Sequence, residues 1–201
     1  AAITKDTPVF PGDPTFRVDQ VNSVDRGDTF SLYRMHMSNH MGTHIDFPAH
    51  VIKKGKTSSD YRVDDLVNKG LIIEVPSNIS SISRKFVESQ NIAPGRVVFF
   101  KTRNSLLSKQ GEFIRDYVYI EPAAATALLA RRVKVVGIDY ISVDKYEAED
   151  LPVHKILLGH GVLIVEGLEL ANVSPGECKI FIMPLKVPNM DGLPVRVMVK
   201  I

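Results

Sequence analysis

The 201-residue chain lacks the features of secreted and membrane-spanning proteins. Its single cysteine, Cys178, excludes a disulfide within the chain, and nothing indicates an oxidising compartment. No apolar run approaches the ~18 residues that a membrane-spanning helix needs. Residues 1–6 do not have the pattern of a signal peptide. We therefore expect a cytoplasmic protein.

The chain also lacks an excess of one charge, a tryptophan, an internal repeat and a low-complexity linker. Its 25 basic and 23 acidic residues leave a net charge of +2, which favours neither a nucleic acid nor a membrane surface as a partner. A hydrophobic content of 44% is ordinary for a globular protein of this length. We expect residues 1–201 to form a single domain.

Short β-branched and apolar runs between turn signals predict a strand-rich fold. The predicted strands are 30–37, 71–75, 97–100, 133–138, 162–165, 180–183 and 195–199. Helices are predicted over 83–90, which begins with a capping serine, over 122–132, and with less support over 152–160. This mixture indicates a β-rich α/β or α+β domain with one layered core.

Four of the six histidines lie in residues 35–50, MHMSNHMGTHIDFPAH. A helix would align His36, His40 and His44, but Gly42, Thr43 and Pro48 disfavour one. We predict a strand–turn–strand segment, in which alternate residues share a face. His40, His44 and Asp46 would then point one way, and His50 would follow a turn at Pro48.

Two imidazoles and a carboxylate on one face are typical of a divalent-metal site. The absence of thiolates argues against a structural zinc site, and so few protein ligands leave positions open for water. The alternative is a histidine-rich strand or a set of hydrogen-bonded core histidines without a metal. For His36 we favour that alternative, either in the core or as a hydrogen-bonding neighbour of the site.

A second group lies in residues 154–166, HKILLGHGVLIVE. His154 would lie on a short helix and Glu166 at the end of a buried strand. A carboxylate in this position is often a helix cap or an ion-pair partner. The residues alone leave open whether this pair contacts a metal.

The segment HMGTHIDFPAH resembles the H-x-G-T-H-x-D-x-P-x-H signature of the Putative cyclase superfamily, which includes bacterial-type kynurenine formamidase (arylformamidase) and isatin hydrolase. Further segments are similar to that family in the same order, so that the resemblance covers nearly the whole chain. They are TPVFPGDP at 7–14, GIDYISVD at 137–144, 154–168, and DGLPVR at 191–196.

The resemblance implies a swivelling β/β/α fold and a divalent metal, Zn²⁺ or Mn²⁺, as one or two ions. His40, His44 and Asp46 match the ligands of a first ion, and Asp46 would bridge to a second. His154 and Glu166 match the second ion's ligands. His50 matches the proton donor and acceptor. Members are typically dimers or tetramers, so we expect a homo-oligomer.

The implied activity is hydrolysis of an amide or cyclic amide by metal-activated water, with a small-molecule substrate that we expect to be aromatic. Phe10 stands where kynurenine formamidase has a substrate-packing tryptophan. It still offers an aromatic face, but the replacement puts the kynurenine substrate itself in question. The alternatives are a metal-dependent cyclase or lyase without attack by water, and a metal-binding protein without catalysis.

Overall fold

The computed structural model describes residues 2–107 and 110–201. The strands are β1 (Arg17–Asn22), β2 (Leu32–His36), β3 (His44–Asp46), β4 (Val67–Glu74), β5 (Ser81–Ile82), β6 (Val97–Lys101), β7 (Tyr119–Ile120), β8 (Val135–Ile138), β9 (Leu163–Glu166), β10 (Gly176–Pro184) and β11 (Gly192–Lys200). The α-helices are α1 (Arg84–Ser89), α2 (Asn104–Leu107), α3 (Pro122–Ala130) and α4 (Pro152–Gly159). Among the described residues, 3-10 turns lie at Val24–Arg26, Pro48–His50, Ser58–Asp60 and Val63–Leu66.

Seven strands close into a barrel in the order β10-β11-β3-β9-β8-β6-β4. The neighbours β4, β6, β8 and β9 are parallel, whereas β3 is antiparallel to both β9 and β11. Each predicted strand overlaps an observed one, and the three predicted helices overlap α1, α3 and α4. The prediction of a strand-rich α+β fold is therefore confirmed.

The parallel strands are buried on both faces, which explains their uninterrupted apolar sequences. In β6, Val97 and Phe99 point into the barrel, where Ile45 and Phe47 also pack. The alternate residues Val98 and Phe100 point outwards to the layer that contains α3 and α4. These two apolar layers hold the ends of β3 and β9 in place.

β1 and β2 form a two-stranded arm that pairs with no other strand in the described ranges. Directly opposed residues place Val18, Tyr33 and Met35 on one face of the arm. The other face carries charged residues such as Arg34. Within residues 2–107 and 110–201, no helix is long and apolar enough to cross a bilayer.

Candidate metal centre

The centre is built on β3, which lies between β9 and β11 in the barrel. In this register His44 is opposite Glu166 and Asp46 is opposite Gly192. Directly opposed residues of antiparallel strands share a face, so the His44 and Glu166 side chains meet. The extended prediction for 44–46 agrees with the structure. His40, however, comes from a turn that Gly42 completes at φ +66°, and His50 ends the 3-10 turn Pro48–His50.

Asp46 is the centre of the cluster and is fully buried. Its Oδ1 lies 2.8 Å from His40 Nδ1 and 3.5 Å from His44 Nε2. Its Oδ2 faces His154 Nε2 at 3.6 Å. Glu166 reaches the cluster from β9, with Oε2 3.3 Å from His44 Nε2 and Oε1 3.3 Å from His154 Nε2. The structure thus brings all five predicted ligand residues together.

One oxygen in this cluster has no hydrogen-bond partner among the described residues. Asp46 Oδ2 is buried and accepts no hydrogen bond from any described residue, since 3.6 Å to His154 Nε2 is too long. An unsatisfied buried carboxylate oxygen is costly unless a cation or water completes its environment. Asp46 belongs to two groups whose ligand atoms lie within 4.8 Å of one another, one with His40 and His44 and one with His154 and Glu166. These donors fit one divalent ion or two.

Two imidazoles at the centre have their second ring nitrogen held by an acceptor. His44 Nδ1 donates to the Gly42 carbonyl at 3.0 Å, and His154 Nδ1 donates to Asp144 Oδ2 at 2.6 Å. His44 and His154 are thereby oriented with Nε2 towards the carboxylates. Such outer hydrogen bonds fix the tautomer of metal-binding histidines.

Asp144 positions His154, although the sequence analysis gave Asp144 no role. Its Oδ1 accepts from the backbone N–H of Val153, and its Oδ2 accepts from that of His154. Asp144 therefore caps the first turn of α4 while it orients the His154 ring. The GIDYISVD segment ends in Asp144 but does not indicate which imidazole this carboxylate faces.

The buried carboxylates change the protonation of the metal-free centre. Burial lowers the pKa of His40, but the carboxylates of Asp46 and Asp191 outweigh burial and raise it to about 9. Burial also lowers the pKa values of His44 and His154, but carboxylates outweigh it and raise both: Asp46 and Glu166 at His44, and Glu166, Asp144 and Asp46 at His154. Protons thus balance the carboxylates when no cation is bound.

We expect the metal-free protein to lose stability between pH 6.5 and pH 9. The folded pKa of His40 is above its unfolded value of 6.5, so its contribution is complete below 6.5 and is lost as pH rises through about 9. At ~1.4 kcal/mol per unit, this loss is about 3 kcal/mol. Urea unfolding of metal-free protein at pH 6, 7.5 and 9 measures it. A metal-free protein whose stability is flat or rises over this window contradicts the prediction, and metal-loaded protein is the control.

His50 lies beside His40, with ring centroids 4.2 Å apart. Its Nδ1 donates to Asp191 Oδ2 at 3.2 Å, and the same oxygen accepts from His40 Nε2 at 3.0 Å. The sequence interpretation noted the DGLPVR segment but assigned Asp191 no role. Only the β3–β11 pairing brings it beside residues about 150 positions earlier.

Gly192, which follows Asp191, leaves space for His40. A Cβ at this position would collide with the His40 ring. We expect Gly192→Ala to displace His40 and to weaken metal binding by about 10-fold or more, as losses around metal ligands commonly do. Chelator competition measures the affinity. Gly159→Ala is the control, because its backbone lies outside the left-handed region and a Cβ there would make only an ordinary contact, 3.6 Å from Ile52. Equal affinities for wild type and Gly192→Ala would contradict the prediction.

Phe10 belongs to an aromatic cluster that extends to the centre. Its ring packs 5.4 Å from Phe113 and 5.9 Å from Tyr146, between centroids. Phe113 also contacts the edge of Tyr117 at 6.1 Å. The Tyr117 hydroxyl donates to the carbonyl of Asp144, and burial together with Glu166 raises its pKa. Phe10 is thus linked to the His154 side of the centre through two aromatic contacts.

The prediction for His36 is wrong. His36 ends β2 on the exposed arm, where its Nε2 lies 3.0 Å from Asp19 Oδ2. Its side chain is 42% exposed, so it is not a core residue, and its partners are on the arm and not at the centre. The alternation of even-numbered residues fails here because the chain turns between β2 and β3.

The chain is similar in sequence to a protein family and its members, and similar in structure to solved proteins. The family model described as Putative cyclase matches residues 1–145. The kynurenine formamidase of Salinibacter ruber is 32% identical over 99% of this chain and 94% of its own length. A solved structure described as a potential metal-dependent hydrolase with cyclase activity is 29% identical, with a TM-score of 0.86 over 99% of this chain and 94% of its own.

An isatin hydrolase bound to thioisatinate is 18% identical, with a TM-score of 0.88 over 100% of this chain and 90% of its own. At this identity the similarity concerns the fold alone. The cyclase-type fold that the sequence motifs implied is confirmed. Because the family model covers most of the chain and the Salinibacter relative matches along nearly all of it, the chain belongs to the Putative cyclase family.

Proposed function

We propose that this protein is a metal-dependent hydrolase that cleaves a non-peptide C–N bond in an amide or cyclic amide, in the manner of an arylformamidase. The observation that carries the proposal is the buried Asp46 Oδ2, which accepts no hydrogen bond from the described residues although four ligand-type side chains surround it. A half-buried histidine, His50, lies beside this group. A cation site next to a proton-exchanging side chain suits hydrolysis better than storage of a metal.

His40, His44 and Asp46 would hold a first ion, and His154 and Glu166 would hold a second that shares Asp46. Zn²⁺ and Mn²⁺ both suit imidazole and carboxylate ligands. When bound, such an ion polarises the amide carbonyl and makes water acidic enough to provide a nucleophile near neutral pH. The relatives named kynurenine formamidase support amide hydrolysis as the reaction at this site.

His50 would move the proton that hydrolysis requires. Its Nδ1–H is held by Asp191, which leaves Nε2 able to accept a proton. Water adds to the carbonyl carbon, the C–N bond breaks, and the proton taken by Nε2 passes to the departing nitrogen. Imidazole is the side chain best suited to this exchange near neutral pH.

A substrate with an aromatic ring would suit the aromatic cluster beside the centre. Phe10, Phe113 and Tyr146 present adjoining ring surfaces, which Phe113 connects to Tyr117 on the His154 side, and aromatic pairs favour edge or offset contacts such as these. We propose N-formylkynurenine, simple aryl formamides and isatin-like lactams as the substrates to examine.

The test is elemental analysis of purified protein combined with hydrolysis assays on these three substrate types. We expect zinc or manganese in the preparation, loss of turnover after chelation, and recovery when the metal is returned. Hydrolysis in ¹⁸O-labelled water should place the label in the carboxylate product. Turnover that survives complete metal removal would overturn the proposal, and a product without label would indicate a cyclase or lyase.

We also propose that the protein is a homo-oligomer in which a second copy covers the arm. Met35 is 68% exposed and borders an apolar groove of about 1000 Å³. The barrel side of this groove includes Leu185, Val197 and Val199. Because one chain carries both the apolar arm face and the apolar groove, two copies can bury both in a symmetric contact. A cytoplasmic location stays a prediction.

We expect Met35→Glu to weaken self-association by about 10-fold or more, because it places a charge in the apolar contact. Analytical ultracentrifugation over a range of concentrations measures this effect. Arg34→Glu changes the opposite face of the arm and is the matched control. Wild-type protein that sediments as a monomer at every concentration would contradict the prediction.

A further inference from the structure

Asp191 connects two histidines for which the proposed function has different roles. Its Oδ2 accepts from His40 Nε2 at 3.0 Å and from His50 Nδ1 at 3.2 Å. A carboxylate only accepts hydrogen bonds, so both of these nitrogens carry a proton. The two rings lie at 37° to one another with centroids 4.2 Å apart, and one oxygen therefore sets the orientation of both.

The hydrogen bonds to Asp191 determine what the other ring nitrogens can do. In the metal-free chain His40 Nδ1 also carries a proton, which it donates to Asp46 Oδ1 at 2.8 Å. A metal ion would replace that proton, and the Nε2–H held by Asp191 would leave Nδ1 as the ligand atom. With the proton on Nδ1, His50 keeps Nε2 bare to accept a proton. In the opposite tautomer, His40 could not offer Nδ1 to a metal and His50 could not accept a proton at Nε2. We infer that Asp191 is a positioning residue that holds His40 and His50 in their working tautomers through a single oxygen.

Asp191 is itself held by groups that use its other atoms. Asn39 Nδ2 donates to Asp191 Oδ1 at 2.8 Å and to the Gly192 carbonyl at 3.1 Å. The Asp191 carbonyl accepts from Phe47 N at 2.8 Å. Oδ1 is thus occupied by Asn39 while Oδ2 faces the histidines. Because the two Asp191 oxygens have different partners, replacing this carboxylate by an amide would put a donor in place of one of the two acceptors.

Asp191 is not required for the apolar core, since its side chain is 41% exposed at the edge of the centre. The same three side chains, His40, His50 and Asp191, could instead bind an ion themselves. In that alternative Asp191 would be a ligand, and its removal would lower the number of ions bound. The two roles therefore predict different metal contents.

The test compares Asp191→Asn, Asn39→Asp and the double exchange in zinc-loaded protein. In Asp191→Asn, the new amide faces the Asn39 amide, so it turns its NH₂ towards the histidines. In the double exchange, the carboxylate introduced at position 39 accepts from the NH₂ introduced at position 191. The amide oxygen at position 191 then faces His40 and His50 again. The double exchange restores a hydrogen-bond acceptor at position 191 but not the negative charge there. It therefore separates orientation of the two rings by hydrogen bonds from electrostatic attraction of the rings to a carboxylate.

We expect Asp191→Asn to lower kcat for an aryl formamide and zinc affinity by about 10- to 100-fold each, as is usual for outer partners of metal ligands. KM should change less than about threefold because no substrate contact is lost. ¹⁵N NMR should show His50 moving from the Nδ1–H to the Nε2–H tautomer. The double exchange should raise kcat at least about tenfold above that of Asp191→Asn. It should also return His50 to the Nδ1–H tautomer of the wild type.

Asp19→Asn is the matched control, because Asp19 holds His36 by the same kind of contact on the arm. The inference is overturned if the double exchange is no better than Asp191→Asn, if His50 keeps its tautomer, or if zinc stoichiometry falls by one. This inference rests on the proposed function, but zinc affinity and the NMR signals need no turnover. An inactive wild type whose His50 tautomer still depends on Asp191 would contradict the function and support the positioning role.

Discussion

Asp46→Asn is expected to abolish metal binding and to reduce amide hydrolysis by more than about 10³-fold. Asp46 is the one residue shared by both candidate ligand groups around the buried centre, so its loss affects either ion. The amide also removes the negative charge that offsets His44 and His154, whose pKa values it helps to raise. We expect the metal-free variant to be less stable than metal-free wild type at pH 6.

Elemental analysis, hydrolysis rates and urea unfolding of the same preparations measure these effects. Asp64→Asn is the control, because the Asp64 side chain is 88% exposed and its contact with Arg62 is a surface ion pair. It should keep wild-type metal content and activity. An Asp46→Asn protein with a full complement of metal would remove Asp46 from the centre.

His50→Ala is expected to lower kcat by ~10²–10⁴-fold while the protein keeps its metal. His50 does not belong to either group that includes Asp46, so the ion retains its ligands. Added imidazole should restore part of the rate, because the cavity left by the substitution is beside Asp191 and His40. The rate and the metal content must be measured on the same sample.

His160→Ala provides the comparison for His50. His160 follows α4, is exposed, and donates Nδ1 to the Ile156 carbonyl, away from the carboxylate cluster. We expect wild-type turnover from this variant. A His50→Ala protein that turns over as fast as His160→Ala would exclude proton transfer by His50, and one that loses its metal would make His50 a ligand.

Local sequence was sufficient for the elements that depend on near neighbours. The apolar runs of β6, β8 and β9 could be predicted because burial on both faces of a parallel sheet requires continuous apolar sequence. The starts of α1, α3 and α4 could also be predicted, because a capping serine and early prolines act locally at the first turn of a helix. The arm strand β1 was missed because four of its six residues are polar and none is buried.

In the histidine stretch, residues 35–50, strand alternation predicts the positions of some side chains but not of others. Alternation along a strand holds only while the chain stays extended. It is valid for His44 and Asp46 on β3, but it fails for His36 because the chain turns between β2 and β3. His50 lies beside His40 because Pro48 begins a 3-10 turn, and no strand periodicity describes that approach.

The strand-rich fold class, the family motifs and the ligand candidates His40, His44 and Asp46 could be predicted from the amino-acid order, whereas His154 and Glu166 became ligand candidates only through the family resemblance. The roles of Asp144, which orients His154, and of Asp191, which joins His40 to His50, became visible only in the folded chain. Both contacts depend on how distant segments are aligned in space. Strand register and helix placement result from packing of the whole barrel, so no local pattern around Asp144 or Asp191 specifies which imidazole each will face.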